Sequence, residues 1–152
     1  MDKEFKQYII VRKDLNMSSQ KMSAMVAHGS MAFLTSNIRN NANICTEDDR
    51  TYYISQIIID KDLFETWFDG SFTKVVLEAK NKNQLLKAKM MAEEIGMVEG
   101  KDFFLIKDKC LTELIPEEMD ENGVGRTLTC IGFAPFSIEK MKPISRKYQL
   151  YK

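Results

Sequence analysis

The sequence predicts an α/β fold: a single domain over residues 1–152, with a mixed, mostly four-stranded sheet and helices on both of its faces. Three observations carry this reading. Apolar runs rich in β-branched residues alternate with segments whose apolar residues recur at three- and four-residue steps. The strand-like runs 102–108 and 126–135 follow one another with no helix between them, which mixes the sheet. The chain has 152 residues with 44% hydrophobic and 29% charged side chains, enough to bury a core without crosslinks.

Residues 7–13, QYIIVRK, read as a buried strand and Asp14-Leu15-Asn16 as a turn. Ser18 or Ser19 caps a helix running to about Asn37. Met22, Met25, Val26, Gly29, Phe33 and Ser36 form its buried face, and Ala24, Ala27, Gly29 and Ala32 are small enough for close approach to a sheet. Residues 37–50 read as a polar loop. Residues 52–60, YYISQIIID, are ambiguous: their β-branched content favours a strand, yet with the LFETWF that follows the whole also fits one helix ending at Gly70. FTKVVLEA, 72–79, alternates as a strand. Residues 81–96 make a helix with an Asn81 cap, a Leu85, Ala88, Ala92, Ile95 stripe and a Gly96 stop. DFFLIKD is a short strand, 115–125 an acidic loop, and RTLTCIGFAP a strand ended by proline. SIEKM is a short helix and YQLYK an edge strand. Repeats and linkers are absent from the sequence.

Cys45, Cys110 and Cys130 are odd in number and far apart, with no C-x-x-C pair, so neither a disulfide frame nor a zinc site is expected. Reduced thiols and an apolar N-terminal run of only YIIV point to a cytoplasmic protein with no membrane partner. The formal net charge is zero, but its distribution is uneven: residues 1–21 sum to +2, 113–124 to −5 and 136–152 to +4. If the two ends meet, they form a basic face.

Lys21 and His28 lie two helical turns apart, about 10 Å along the axis, and share a face. A lone helical histidine is usually a packing residue. Asp108 ends a strand, Thr112 follows it, and Thr127 opens the last long strand. Carboxylates and hydroxyls at strand ends line clefts in α/β sheets. There an Asp orients water or acts as base, a Thr hydroxyl bonds it, and a Lys steadies an oxyanion. Phosphate-cradling glycine loops, a G-x-S-x-G elbow and metal-binding histidine pairs are absent, so no cofactor or metal is expected. The aromatics of FAPF and WFDGSF read as core rather than as base-stacking platforms.

Taken in order, these blocks resemble the archaeal and eukaryotic type of peptidyl-tRNA hydrolase. YIIVRKDLNMSSQKMSAMVAHGSMAF resembles that family's strand, R-K/N-D-L-x-M-G-K-G-K and A-A-Q-x-x-H-A. Trp67 to Gly70 with KVVLEA, FFLIKDKCLTELIP, RTLTCIGFAP and IEKMKPISRKYQLY match later blocks. The resemblance implies a metal-independent hydrolase of the ester between a peptide and the 3′ end of tRNA, and a homodimer. It places Lys21, His28, Asp108, Thr112 and Thr127 in the catalytic set, with Lys13, Lys109 and Lys140 as substrate-binding cations.

This chain departs from the pattern at several positions. Ser18, Ser19 and Gln20 replace two glycines and a lysine, and Met25 and Glu113 replace glutamines. Leu111 replaces an arginine, for which Lys109 is a partial substitute. The acidic run 117–121 would repel a tRNA backbone if it lay in the cleft. The departures keep two alternatives open: a catalytically impaired binding protein, or a hydrolase of another small ester or amide.

Overall fold

The computed structural model describes residues 3–152; Asp2, one of the acids in the N-terminal charge balance, lies outside the described residues. The elements run β1 (Phe5–Arg12), α1 (Ser19–Asn40), β2 (Ala42–Glu47), β3 (Arg50–Ser55), α2 (Lys61–Leu63) and a π-helical segment Phe64–Ser71. They continue with β4 (Lys74–Ala79), α3 (Lys82–Glu94), β5 (Phe103–Asp108), β6 (Glu118–Met119), β7 (Gly125–Phe133), β8 (Phe136–Ser137), α4 (Ile138–Ser145) and β9 (Gln149–Leu150).

β1 is buried from Gln7 to Arg12 without a break because it is the central strand and is covered on both faces. The sheet order is β5-β7-β1-β4-β9, with β6 and β8 pairing onto β7 and β1. β1 runs parallel to β4 and antiparallel to β7, so the sheet is mixed. Four strands are long, and the remaining three span two residues each, too brief for any pattern to announce.

Alternate residues of β1 feed two cores. Tyr8 and Ile10 pack with Leu85, Ala88 and Ala92 of α3 and with Met141 and Ile144 of α4. Ile9 and Val11 pack with Met25 of α1 and with Cys130 of β7. Asn81 caps α3 by accepting from the Gln84 amide, and Gly96 takes the left-handed conformation at φ 87 just past its end. Ile95, expected on the buried stripe, is at the helix end and exposed.

The 37–50 loop is replaced by the end of α1 and a hairpin. β2 and β3 pair antiparallel around Asp48-Asp49, whose φ values of 50 and 60 make a tight hairpin turn. The 52–60 ambiguity resolves as strand to Ser55, then irregular chain over 56–60, then helix from Lys61. Trp67 is buried against Phe33 and Phe68 and donates its indole N–H to the Thr73 carbonyl at 2.9 Å, so of the WFDGSF aromatics Trp67 is core, whereas Phe72 is half exposed. Phe136 likewise packs against the α3 core.

α1 approaches the sheet through Gly29, not through Ala24 and Ala27, which face solvent. A Cβ at Gly132 of β7 would lie 2.1 Å from the Gly29 carbonyl oxygen, a distance that no side chain tolerates. Beside this contact Gln7 is wholly buried and fully bonded: its amide donates to the Ser30 and Phe133 carbonyls at 2.8 and 3.1 Å and accepts from the Ser30 hydroxyl at 2.6 Å. Gly132→Ala is expected to destabilise the fold by about 3 kcal/mol, seen as a fall in Tm of about 6–12 °C. Gly29→Ala meets the Ile9 side chain at 3.2 Å and should cost less.

Candidate active site

One end of the sheet gathers the candidate residues. Asp108 closes β5 directly opposite Thr127 of β7, and the β5–β7 register shifts between Ile106 and Lys107 just before it. Such a bulge turns the strand end and re-aims its last side chain. Ser18 caps α1 by accepting from the Lys21 amide at 3.2 Å, which fixes Lys21 in the first turn above that strand end. Lys21 Nζ then lies 2.6 Å from Asp108 Oδ1 and 3.5 Å from Thr112 Oγ1. The two charged side chains are 14% and 9% exposed, so the pair is desolvated but open to solvent at one edge.

The other carboxylate oxygen of Asp108 accepts the Cys110 amide at 3.0 Å. Cys110 holds that amide in place from a left-handed conformation, φ 59. The Thr127 hydroxyl is buried and committed to the loop: it donates to the Ile115 carbonyl at 2.6 Å and accepts from the Glu117 amide at 3.1 Å. The Cys110 thiol, 3.3 Å away, completes its surroundings. Thr127 therefore positions the wall of the site, whereas the exposed Thr112 faces it.

Three candidates stand apart from this cluster. His28 is exposed on α1 and makes no hydrogen bond or ion pair among the described residues; at 100° per residue it falls on the solvent side of the Met25–Gly29–Phe33 stripe. Lys13 is at the same sheet end but turns toward the C-terminal segment, over the Tyr151 ring at 4.4 Å. Lys140 follows β8, which pairs with the opposite end of β1, so roughly 20 Å of strand separates it from the Lys21–Asp108 pair. Lys109 is exposed next to Asp108, and Leu111 is 80% exposed. Among the described residues no three His, Cys, Asp or Glu side chains come together to hold a metal ion. Burial pushes the Cys130 thiol up to about 12, which leaves it a packing residue.

The residue that sequence reasoning missed is Arg12, whose side chain is 3% exposed. All five of its N–H donors are used. Nε and Nη2 donate to Asp14 at 3.1 and 2.9 Å, Nη1 and Nη2 to Glu117 at 2.6 and 3.1 Å, and Nη1 to the Leu128 carbonyl at 3.0 Å. Burial alone would lower its pKa; the two carboxylates outweigh that and hold it above its ordinary value. The R-x-D spacing of Arg12 and Asp14 was the only sequence signal.

The acidic segment is paired throughout most of its length. Glu113 accepts from the Ser18 amide and hydroxyl at 2.8 and 2.6 Å, Glu117 binds Arg12, Glu118 binds Lys107 at 2.8 Å, and Asp120 binds Arg126 at 2.8 Å. Hydrogen bonds from Ser18 hold the Glu113 carboxyl below the usual range. Lys107 does the same for Glu118, and the Val124 amide with Arg126 for Asp120. Arg12→Met is expected to cost about 2–3 kcal/mol in denaturant unfolding; the half-solvated carboxylates keep it below the range for a wholly buried pair. The depressed carboxyls stabilise the loop at neutral pH and lose that contribution as pH falls below about 4. Hydrogen exchange should then speed up first at the Asn122 and Val124 amides, which donate to Asp120, and at the Ser18 amide, which donates to Glu113.

Residues 5–151 match the family model described as "Peptidyl-tRNA hydrolase PTH2". The chain is 29% identical over 145 residues to a peptidyl-tRNA hydrolase of Thermoplasma acidophilum, covering 95% of this chain and 97% of that protein. It is 27% identical to the one of Thermococcus onnurineus, covering 96% and 97%. Among solved structures it resembles a protein of unknown function from Agrobacterium tumefaciens, with a TM-score of 0.52 and 10% identity over 98% of each chain, a likeness of fold alone. Because the family match takes in β1, the Lys21–Asp108 pair and β9 alike, the chain belongs to the peptidyl-tRNA hydrolase PTH2 family.

Proposed function

We propose that this protein hydrolyses the ester joining a peptide, or an N-blocked aminoacyl group, to the 3′ end of tRNA. The observation that carries the reading is the desolvated Lys21–Asp108 pair with Thr112 beside it, set at the sheet end of a chain that belongs to this family. Asp108 takes a proton from water as the water oxygen attacks the ester carbonyl carbon. Lys21 faces the negative charge that gathers on the carbonyl oxygen. The bond from that carbon to the 3′ oxygen then breaks and the proton passes to the departing oxygen to give a free tRNA hydroxyl, while the new peptide acid loses its remaining proton to solvent and leaves as a carboxylate. The Cys110 amide and Thr127 keep the carboxylate and loop aligned, and the exposed Lys109 supplies the cation missing at Leu111.

A homodimer in the cytoplasm is part of the same proposal. An apolar groove of about 630 Å³ between α1 and β4, walled by Met22, Val26, Met31, Phe72 and Val76, supports an interface there. Equilibrium sedimentation of wild type and Met31→Glu tests it.

Turnover of N-acetyl-aminoacyl-tRNA by the purified protein tests the activity, and its absence at high enzyme concentration would sink the reading. Asp108→Asn is expected to lower kcat by about 10²- to 10⁴-fold, with the fold verified by melting. His28→Ala should change kcat/KM by less than about tenfold, because an exposed imidazole with no partner lacks the reach of a general base. A kcat decrease for His28→Ala as large as that of Asp108→Asn would displace this assignment.

A further inference from the structure

Arg146 and Lys147, two of the cations counted in the C-terminal segment, meet Lys80 from the middle of the chain on the folded surface. Lys80, Arg146 and Lys147 line one polar groove of about 450 Å³ between the end of β4 and the end of α4, and make no ion pair among the described residues. Its one acid, Glu78, is 9% exposed and accepts the Lys152 amide at 3.3 Å, so three cations in the groove face a single carboxylate. A second groove of about 380 Å³ continues along α3, sharing Lys147 and adding Lys87 and Glu94. The Lys13 amide donates to the Ala79 carbonyl at 2.8 Å, which places Lys13 beside Lys80, and its ammonium bonds the Lys152 carbonyl.

This basic track opens at the same end of the sheet as Asp108. Three strand spacings, β5 to β7 to β1 to β4, put it about 14 Å from that carboxylate. That span is about four steps of a stacked strand at ~3.4 Å each. The acidic segment lies on the opposite flank, along β6 and β7, with most of its charge already paired. Beyond Lys109 beside the carboxylate, a polyanion whose ester sits at Asp108 thus meets a groove of unpaired cations on the β4 side and mostly paired charge on the β6 side.

We infer that the Lys80–Arg146–Lys147 groove binds the tRNA phosphate backbone a few nucleotides back from the ester. This rests on the hydrolase reading above, and it assigns substrate binding to residues other than Lys140. Phosphate contacts position a nucleic acid without reading its sequence, so the groove sets KM for the whole tRNA and not the chemical step.

The test compares full-length N-acetyl-aminoacyl-tRNA with the same ester on a CCA trinucleotide, which is too short to reach the groove. Replacing all three residues together (Lys80→Glu, Arg146→Glu, Lys147→Glu) is expected to raise KM for the full tRNA about ten- to a hundredfold. It should also flatten the salt dependence by about 0.7–0.9 in log–log slope for each phosphate that is no longer neutralised. Turnover of the trinucleotide ester should stay within about twofold. A charge-matched control at the other end of the molecule (Lys3→Glu, Arg39→Glu, Lys101→Glu) should leave both substrates near wild type. An unchanged KM and slope for the full tRNA overturns the inference, as does an equal decrease on the trinucleotide or an equal effect in the control. If wild type turns over neither ester, the hydrolase reading fails by itself. Fluorescence anisotropy with uncharged tRNA then decides the groove: weaker binding by the triple variant supports it, and equal binding overturns it.

Discussion

The buried guanidinium of Arg12 is the constraint on which the end of the sheet that carries the Lys21–Asp108 pair depends. A planar fork with every N–H used holds four chain segments at once: the end of β1, the turn at Asp14, the loop at Glu117 and β7 at Leu128. From there the links run on in both directions. The Asp14 turn leads to Ser18, which Glu113 holds and which caps the helix carrying Lys21. The Glu117 amide bonds Thr127, which faces Asp108 across the β5–β7 ladder. Lysine could not substitute, because an ammonium offers a point charge and three donors rather than a rigid five-donor fork.

Zero net charge turns out to describe two quite different surfaces. Along β6 and the loop before it, carboxylates are engaged by Arg12, Lys107, Arg126 and the start of α1. An acidic run that reads as repulsive in a linear sequence is thereby mostly neutralised in place. The cations near the end of β4 and of α4 have no such partners among the described residues, and their field reaches solvent. Sequence totals average these regions together, whereas a ligand within a Debye length of the surface meets only one of them.

What could be read from the sequence was what local chemistry determines. The Ser18 and Asn81 caps, the Gly96 stop and the apolar runs of β1, β4, β5 and β7 need only neighbours a few residues away. The hairpin escaped because its turn is Asp-Asp rather than Asn-Gly or Asp-Gly, and because its strands leave the sheet and bury neither face, so no alternation marks them. The pairing of Lys21 with Asp108 spans 87 positions, and spacing could not propose it; the resemblance to a known family did. Glu117 stands 105 positions from Arg12, and nothing local announces that the two will share a fork. His28 shows the converse. Two helical turns keep it within about 20° of Lys21, but Lys21 itself sits at the rim of the buried face, so that small rotation carries the histidine into solvent.

The backbone-to-backbone seat of Gly29 on Gly132 acts as a fulcrum. α1 touches the sheet most closely there, and Lys21 lies eight residues upstream, about 12 Å along the rod. A rod pivoted at that point converts any lift at the seat into a tilt at its far end, where the ammonium must stay within 2.6 Å of Asp108. In the hydrolysis proposed above, misplacing that ammonium by about 1 Å would cost on the order of a hundredfold in rate. Two residues with no side chains, remote from every charged group of the site, thereby govern the reach of its lysine.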